Sequence, residues 1–202
     1  MLIVGIAGGT GAGKTTVVRK LMSQLPKDKV ALLPQDNYYR DNSHLPLEER
    51  QKLNFDHPSS IEFELLAAHL EQLRAGNPIE MPIYSYLTCT RSHDHIPVMP
   101  REVVVVEGIL ILTSELLREQ LGIKVFVDAE PDDRLMRCIQ RDILERGRNV
   151  REVMERYEHT VKPMHTQFIE PSKRFADLIL PQGGSNEVAI KVLSSMIKMH
   201  LS

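Results

Sequence analysis

Apolar positions along the chain follow two rhythms. Residues 2–7 and 103–106 are unbroken apolar runs, which suits strands buried on both faces. Residues 29–33, 124–128 and 177–180 predict further short strands. Between them, Val17, Val18, Leu21, Met22 and Leu25 recur at helical spacing before Pro26. Ile61, Leu65, Leu66, Leu70 and Leu73 do the same before Gly76, with Ser59 and Glu62 spaced as a capping box. Pro131 opens a helix to about residue 145, and a second runs over about 150–168. Val188, Ala189, Val192, Leu193, Met196 and Ile197 mark a final helix. Residues 82–100 alternate β-branched or aromatic with polar residues, which predicts a hairpin turning near Ser92, His93 and Asp94. Residues 37–58 are polar and irregular, too long for a simple connector, as functional loops often are. Strands alternating with helices predict an α/β fold, a parallel sheet with helices on both faces. No repeat or linker divides the sequence, so residues 1–202 read as a single domain.

Composition narrows the function classes. The chain has 202 residues, 42% hydrophobic and 26% charged, with a formal net charge of -2. General nucleic-acid binders are usually basic, so no nucleic-acid partner is expected. Two cysteines, Cys89 and Cys138, suggest neither a disulfide framework nor a metal knuckle. The apolar start is short and runs straight into glycines, reading as a strand rather than a signal peptide. No stretch approaches the roughly 18 apolar residues of a membrane span. The expectation is a cytoplasmic protein without a membrane partner.

The chemistry begins where the first strand ends. Gly8, Gly9, Thr10, Gly11, Ala12, Gly13, Lys14 and Thr15, followed by Thr16, fit G-x-x-x-x-G-K-[ST] between a strand and a helix. Glycines allow a tight turn and close approach to phosphates, and the helix N-terminus offers positive partial charge. Lys14 should reach the β- and γ-phosphates of ATP, and the Thr15 hydroxyl should ligate Mg2+. The spacing does not match the G-x-G-x-x-G of dinucleotide oxidoreductases. Nor are the D-x-x-G and [NT]-K-x-D elements of switch GTPases present.

A kinase needs an acceptor pocket, a base for the acceptor and mobile cations that close on the phosphates. Asp36 follows the second strand, where open α/β sheets bind ligands, although a turn cap also uses Asp there. Glu107 directly follows the four-valine strand, the place of a magnesium-side carboxylate. Arg141, Arg146 and Arg148 surround Gly147, which suits an Arg-rich lid over about 141–151. A solvated helix face with Asp142 and Glu145 as partners is the plain alternative.

These residues together resemble the uridine kinase (uridine–cytidine kinase) family over essentially the whole chain. The matching stretches are 8–16, 35–39, 54–58, 82–84, 107–109, 141–148 and 161–163. The resemblance implies a P-loop NTPase-type sheet with a β-hairpin insertion over the acceptor site. It implies transfer of the ATP γ-phosphoryl to the 5′-hydroxyl of a pyrimidine nucleoside in pyrimidine salvage, by a homotetramer. It makes Asp36 the general base near magnesium, Glu107 a second metal-side carboxylate and Asp56 the acceptor of ribose hydroxyls. Tyr39, Phe55 and Tyr84 become nucleoside-pocket residues, and Arg141 and Arg146 phosphate-binding lid residues. Four positions depart from the family pattern. Cys89 stands for a base-reading histidine, Cys138 for a substrate-contacting arginine, Arg156 for a ribose-binding glutamine and Gln182 for an arginine. Arg156 adds a cation, so an acceptor bearing phosphate or carboxylate is an alternative. A nucleotide-binding regulator with little catalysis is another.

Overall fold

The computed structural model describes residues 1–201. A five-stranded sheet carries β1 (Leu2–Gly8), β2 (Val30–Pro34), β5 (Val103–Glu107), β6 (Ile123–Val127) and β7 (Leu178–Leu180), ordered β2-β5-β1-β6-β7. Every pairing in it is parallel. The all-apolar strands are explained by burial on both faces. Val104 and Val106 join Ile3, Phe126, Leu66 and Leu70 under helix α2 (Phe63–Arg74). Val103 and Val105 join Val4, Ile6, Val17, Leu21, Ile190 and Leu193 on the other face. That face is covered by α1 (Lys14–Ser23) and α5 (Glu187–Leu201). Successive strand residues point to opposite faces, so a strand covered on both sides needs no polar alternation. The chain order reverses around β1, whose C-terminal end is therefore a topological switch point where such sheets bind ligands.

A two-stranded hairpin of β3 (Ile79–Ser85) and β4 (Thr90–Val98) packs beside this sheet. It begins earlier than the alternation in the sequence suggests, and it turns at Tyr86–Cys89, not at Ser92–Asp94. The latter residues lie within β4, where the Ser92 hydroxyl accepts the Asp94 amide at 3.1 Å. This local bond has the composition of a turn without being one. The real turn is closed by Cys89, whose φ of 51° is left-handed.

The expected capping box at Ser59 and Glu62 does not form. Ser59 lies in a single 3-10 turn, Pro58–Ser60, and its amide donates to His57 Nδ1 at 3.1 Å. Glu62 instead pairs with Arg91 of β4 at 2.8 Å, and α2 starts after it without a side-chain cap. Ile61, expected on the helix, bridges Tyr39 in an antiparallel pair. Tertiary contacts here outcompete a local motif worth about 1 kcal/mol.

Helix α3 (Pro131–Arg146) ends at Gly147, which takes a left-handed φ of 65°. Helix α4 (Val150–Arg156) starts from a capping box between Asn149 and Glu152. The helical path then continues beyond the expected residue 168 through two wide π turns, Tyr157–Val161 and His165–Ile169. Each precedes a proline, Pro163 or Pro171. Proline has no N–H to donate and its ring crowds the carbonyl one turn back, and a wide turn accommodates both. Among the described residues no helix is long and apolar enough to cross a membrane.

Candidate active site

The phosphate loop leaves β1 at Gly8 and enters α1 at Lys14. Gly13 sits at the helix N-cap with φ 94°, a conformation that glycine adopts without strain. Gly9 is packed so closely that a Cβ there would lie 2.4 Å from Arg134 Nη1 and 2.9 Å from His165 Nδ1. Lys14 is buried, and its Nζ donates to the Gly9 carbonyl at 3.2 Å. Burial pushes the Lys14 ammonium below its usual range, while Glu107 and Asp36 pull the other way.

Sheet register gathers the carboxylates. Glu107 pairs with both Ile6 of β1 and Pro34 of β2, so it sits between the phosphate loop and the turn that carries Asp36. The Thr15 hydroxyl donates to Glu107 Oε1 at 3.4 Å. Burial raises the Glu107 carboxyl, opposed by Lys14. Asp36 lies in the 3-10 turn Gln35–Tyr38. Gln35, fully buried, accepts the Leu110 amide at 2.8 Å and fills the space above Gly108. It thereby ties the loop after β2 to the loop after β5. Lys14, Thr15, Asp36 and Glu107 are thus together, as the sequence predicts. Their oxygens are hard donors. Among the described residues no group of three His, Cys, Asp or Glu side chains converges on one point. This set suits magnesium, which commonly takes one or two carboxylates and completes its shell from phosphate and water.

The expected acceptor residues form a wall beside this cluster. Tyr39 meets Phe55 and Tyr84 with ring centroids 5.3 and 4.9 Å apart, and Phe55 lies 6.0 Å from Tyr84. Tyr39 and Tyr84 are buried in the core under α2, so they pack as well as line. Asp56 is 3% exposed, with Thr10 Oγ1 at 3.4 Å and Arg156 Nη2 at 2.8 Å. Tyr86 was not singled out by the sequence. It stacks edge-on against Tyr84, its hydroxyl donates to Asp36 Oδ2, and Arg146 lies over its ring at 4.8 Å. Its place depended on the hairpin turn, which periodicity put elsewhere.

The arginines of the expected lid meet on one carboxylate, Asp142, for which the sequence suggests only a local role. Asp142 is 1% exposed. Arg141 Nη2 and Arg146 Nη1 lie 2.8 and 3.5 Å from its Oδ1, and Arg148 Nη1 lies 2.6 Å from Oδ2. Burial pushes the Asp142 carboxyl up, but the arginines outweigh it and hold it below the usual carboxylate range. The side chains form a preassembled cationic group beside Tyr86 and Asp36, not a solvated helix face.

The sequence model of the phosphoribulokinase / uridine kinase family matches residues 3–189. The chain belongs to that family. A uridine kinase of Bacillus cytotoxicus is 50% identical over 196 residues, covering 97% of this chain and 92% of that protein. A uridine kinase of Bacillus cereus is 49% identical over the same shares. Among solved structures, D-glycerate 3-kinase from Cryptococcus neoformans aligns with TM-score 0.66 at 17% identity, covering 85% of this chain and 80% of that one. Phosphoribulokinase from Rhodobacter spheroides aligns with TM-score 0.62 at 15% identity, covering 89% and 69%. These two likenesses show the fold.

Within the phosphoribulokinase / uridine kinase family frame, the departing residues take definite places. Cys89 is half-buried at the end of the hairpin turn, its Sγ 3.5 Å from the Tyr86 carbonyl. Cys138 is buried on α3, and burial pushes its thiol up in the field of Arg141, Asp142 and Arg156. Arg156 does not present a free cation to the pocket: it pairs with Asp56 and lies 3.7 Å from Asp142. A cavity of about 830 Å³ opens beside the first turn of α3, lined by Arg134, Tyr157, His165 and Gln182. Lys14, Asp36 and Glu107 do not line it.

Proposed function

We propose that the chain transfers the γ-phosphoryl of ATP to the 5′-hydroxyl of uridine or cytidine. The observation that carries this reading is one convergence. Lys14, Thr15, Asp36 and Glu107 meet at the C-terminal end of β1, directly beside a buried Asp56 and a Tyr39–Phe55–Tyr84 wall. The near-full-length likeness to uridine kinases supports the acceptor class.

Each residue has a derivable task. The loop amides and Lys14 hold the β- and γ-phosphates, where a fixed positive charge opposes the charge that develops on the transferring group. Asp36 takes the proton of the attacking hydroxyl, after that hydroxyl displaces the Tyr86 hydroxyl now bonded to it. Asp56 accepts from ribose hydroxyls, as a carboxylate can. The aromatic wall packs against the nucleoside and excludes water. Arg141, Arg146 and Arg148 turn from Asp142 to the phosphates when the lid closes. Thr15, Glu107 and Asp36 would hold a magnesium ion, which would supply charge neutralisation at the phosphates. The family resemblance further supports a cytoplasmic homotetramer working in pyrimidine salvage.

An anionic acceptor is less favoured, because Arg156, the cation that suggested it, is already engaged by Asp56 and Asp142. The test is product formation by the native protein with ATP and magnesium across uridine, cytidine, purine nucleosides and phosphorylated sugars. Uridine 5′-monophosphate as the leading product supports the reading. Faster turnover of a phosphorylated sugar, or no product at all, overturns it.

A further inference from the structure

Arg156 stands between two buried carboxylates that belong to different halves of the site. Its Nη2 lies 2.8 Å from Asp56 Oδ2 and its Nη1 3.7 Å from Asp142 Oδ2. Asp56 touches Thr10 of the phosphate loop and borders the aromatic wall. Asp142 gathers Arg141, Arg146 and Arg148 of the lid. Among the described residues, Arg156 is the one side chain paired with both. The group holds four guanidinium charges against the two carboxylates. It is therefore short of negative charge until an anion arrives.

A carboxylate that is almost wholly buried is costly once its cations leave. Every lid arginine that turns to an anion withdraws a partner from Asp142. Arg156 is the cation still within reach, on the neighbouring helix α4, and it needs only to shift its weight from one carboxylate to the other. That shift loosens its bond to Asp56 Oδ2 and opens the lone pairs there to hydroxyl donors. We infer that Arg156 couples the two ends of the site: anion capture by the lid releases Asp56 for a polyhydroxyl acceptor. The inference rests on the functional reading above, in which the anion is the ATP triphosphate and the acceptor hydroxyls are those of ribose. By linkage the effect is reciprocal, so a bound nucleoside also favours transfer of the lid arginines to phosphate.

The experiment titrates uridine calorimetrically into the full chain, alone and with a saturating non-hydrolysable ATP analogue and magnesium. In the native protein the analogue lowers the uridine Kd by about fivefold or more, the lower end of ordinary coupling between sites. In Arg156→Gln the same analogue changes uridine affinity by less than about twofold, because no charge passes between the carboxylates. Arg156→Lys keeps a cation and retains part of the shift. Asp142→Asn tests the claim from the other end and keeps it testable if Arg156→Gln does not fold. With no carboxylate to draw Arg156 away, Asp56 stays paired and the shift is lost. An equal shift in the native and Arg156→Gln proteins overturns the coupling, as does a native protein that binds uridine without responding to the analogue. Both outcomes leave the functional reading standing. A native protein that neither binds nor phosphorylates uridine overturns that reading, and the coupling with it.

Discussion

His165 provides the sharpest test of how the phosphate loop is supported. Its side chain is 14% exposed, lies against Gly9, and has Nε2 3.3 Å from Glu170 Oε2 while Nδ1 has no partner. Burial, with Arg134 and Lys173 nearby, pushes its pKa from 6.5 down to about 4, against a smaller pull from Glu170 and Asp128. The folded pKa is therefore below the unfolded one. As pH falls, the unfolded chain takes up this proton first, so stability is complete above pH 6.5 and is lost between 6.5 and about 4. At about 1.36 kcal/mol per pH unit, the loss from pH 6.5 to 5 is about 2 kcal/mol. For a chain of this length that corresponds to about 4–8 °C in Tm. His165→Gln fills similar space and cannot titrate. Thermal unfolding of both proteins at intervals from pH 7.5 to 5 separates this group from every other titration, because the rest are common to both. The native Tm should fall about 4–8 °C further than that of the variant. Parallel Tm curves would refute the assignment of a half-buried neutral imidazole under the loop.

Four substitutions probe the transfer chemistry. Lys14→Ala should cut turnover about a hundredfold or more, the usual cost of one preorganised charge at the transferring group. Wild-type kcat at saturating ATP would remove Lys14 from that role. Asp36→Asn should slow the single-turnover step by about 10²–10⁴-fold with nucleotide affinity little changed; weakened ATP binding with an unchanged step would reassign it. Tyr86→Phe removes the hydroxyl that occupies Asp36, so kcat should hold or rise while the variant keeps its fold by circular dichroism. A loss near that of Asp36→Asn would instead make the hydroxyl part of the chemistry. Cys89→His should lower KM for uridine by about fivefold, the scale of one recovered hydrogen bond of about 1 kcal/mol. Histidine tolerates the left-handed backbone at this position better than most residues. An unchanged KM, or efficient and selective uridine turnover by the native protein, would show that the thiol costs nothing in base recognition.

The parts whose information is local were legible along the chain. The four-valine strand, the glycine loop with Lys14, and α1 with its repeating apolar face are each fixed by a handful of adjacent residues, and all appear where they are expected. So do Asp36 and Glu107, because a strand end is legible from the strand. Tertiary structure decided what depends on competition between distant partners. Glu62 left its capping box for Arg91, far along the chain in β4. Ser92 and Asp94 had turn composition, but the antiparallel pairing of β3 with β4 put the turn at Tyr86–Cys89 and so brought Tyr86 to Asp36. Asp142 looked like a surface helix partner and became the buried centre of an arginine cluster because Arg148 and Arg156 approach it from beyond Gly147. Arg156 looked like a spare cation and proved to be bound at both ends. Spacing along the chain carries periodicity and motif. The choice of which charge meets which carboxylate is made only when burial removes water as the alternative partner, and that happens in the folded molecule.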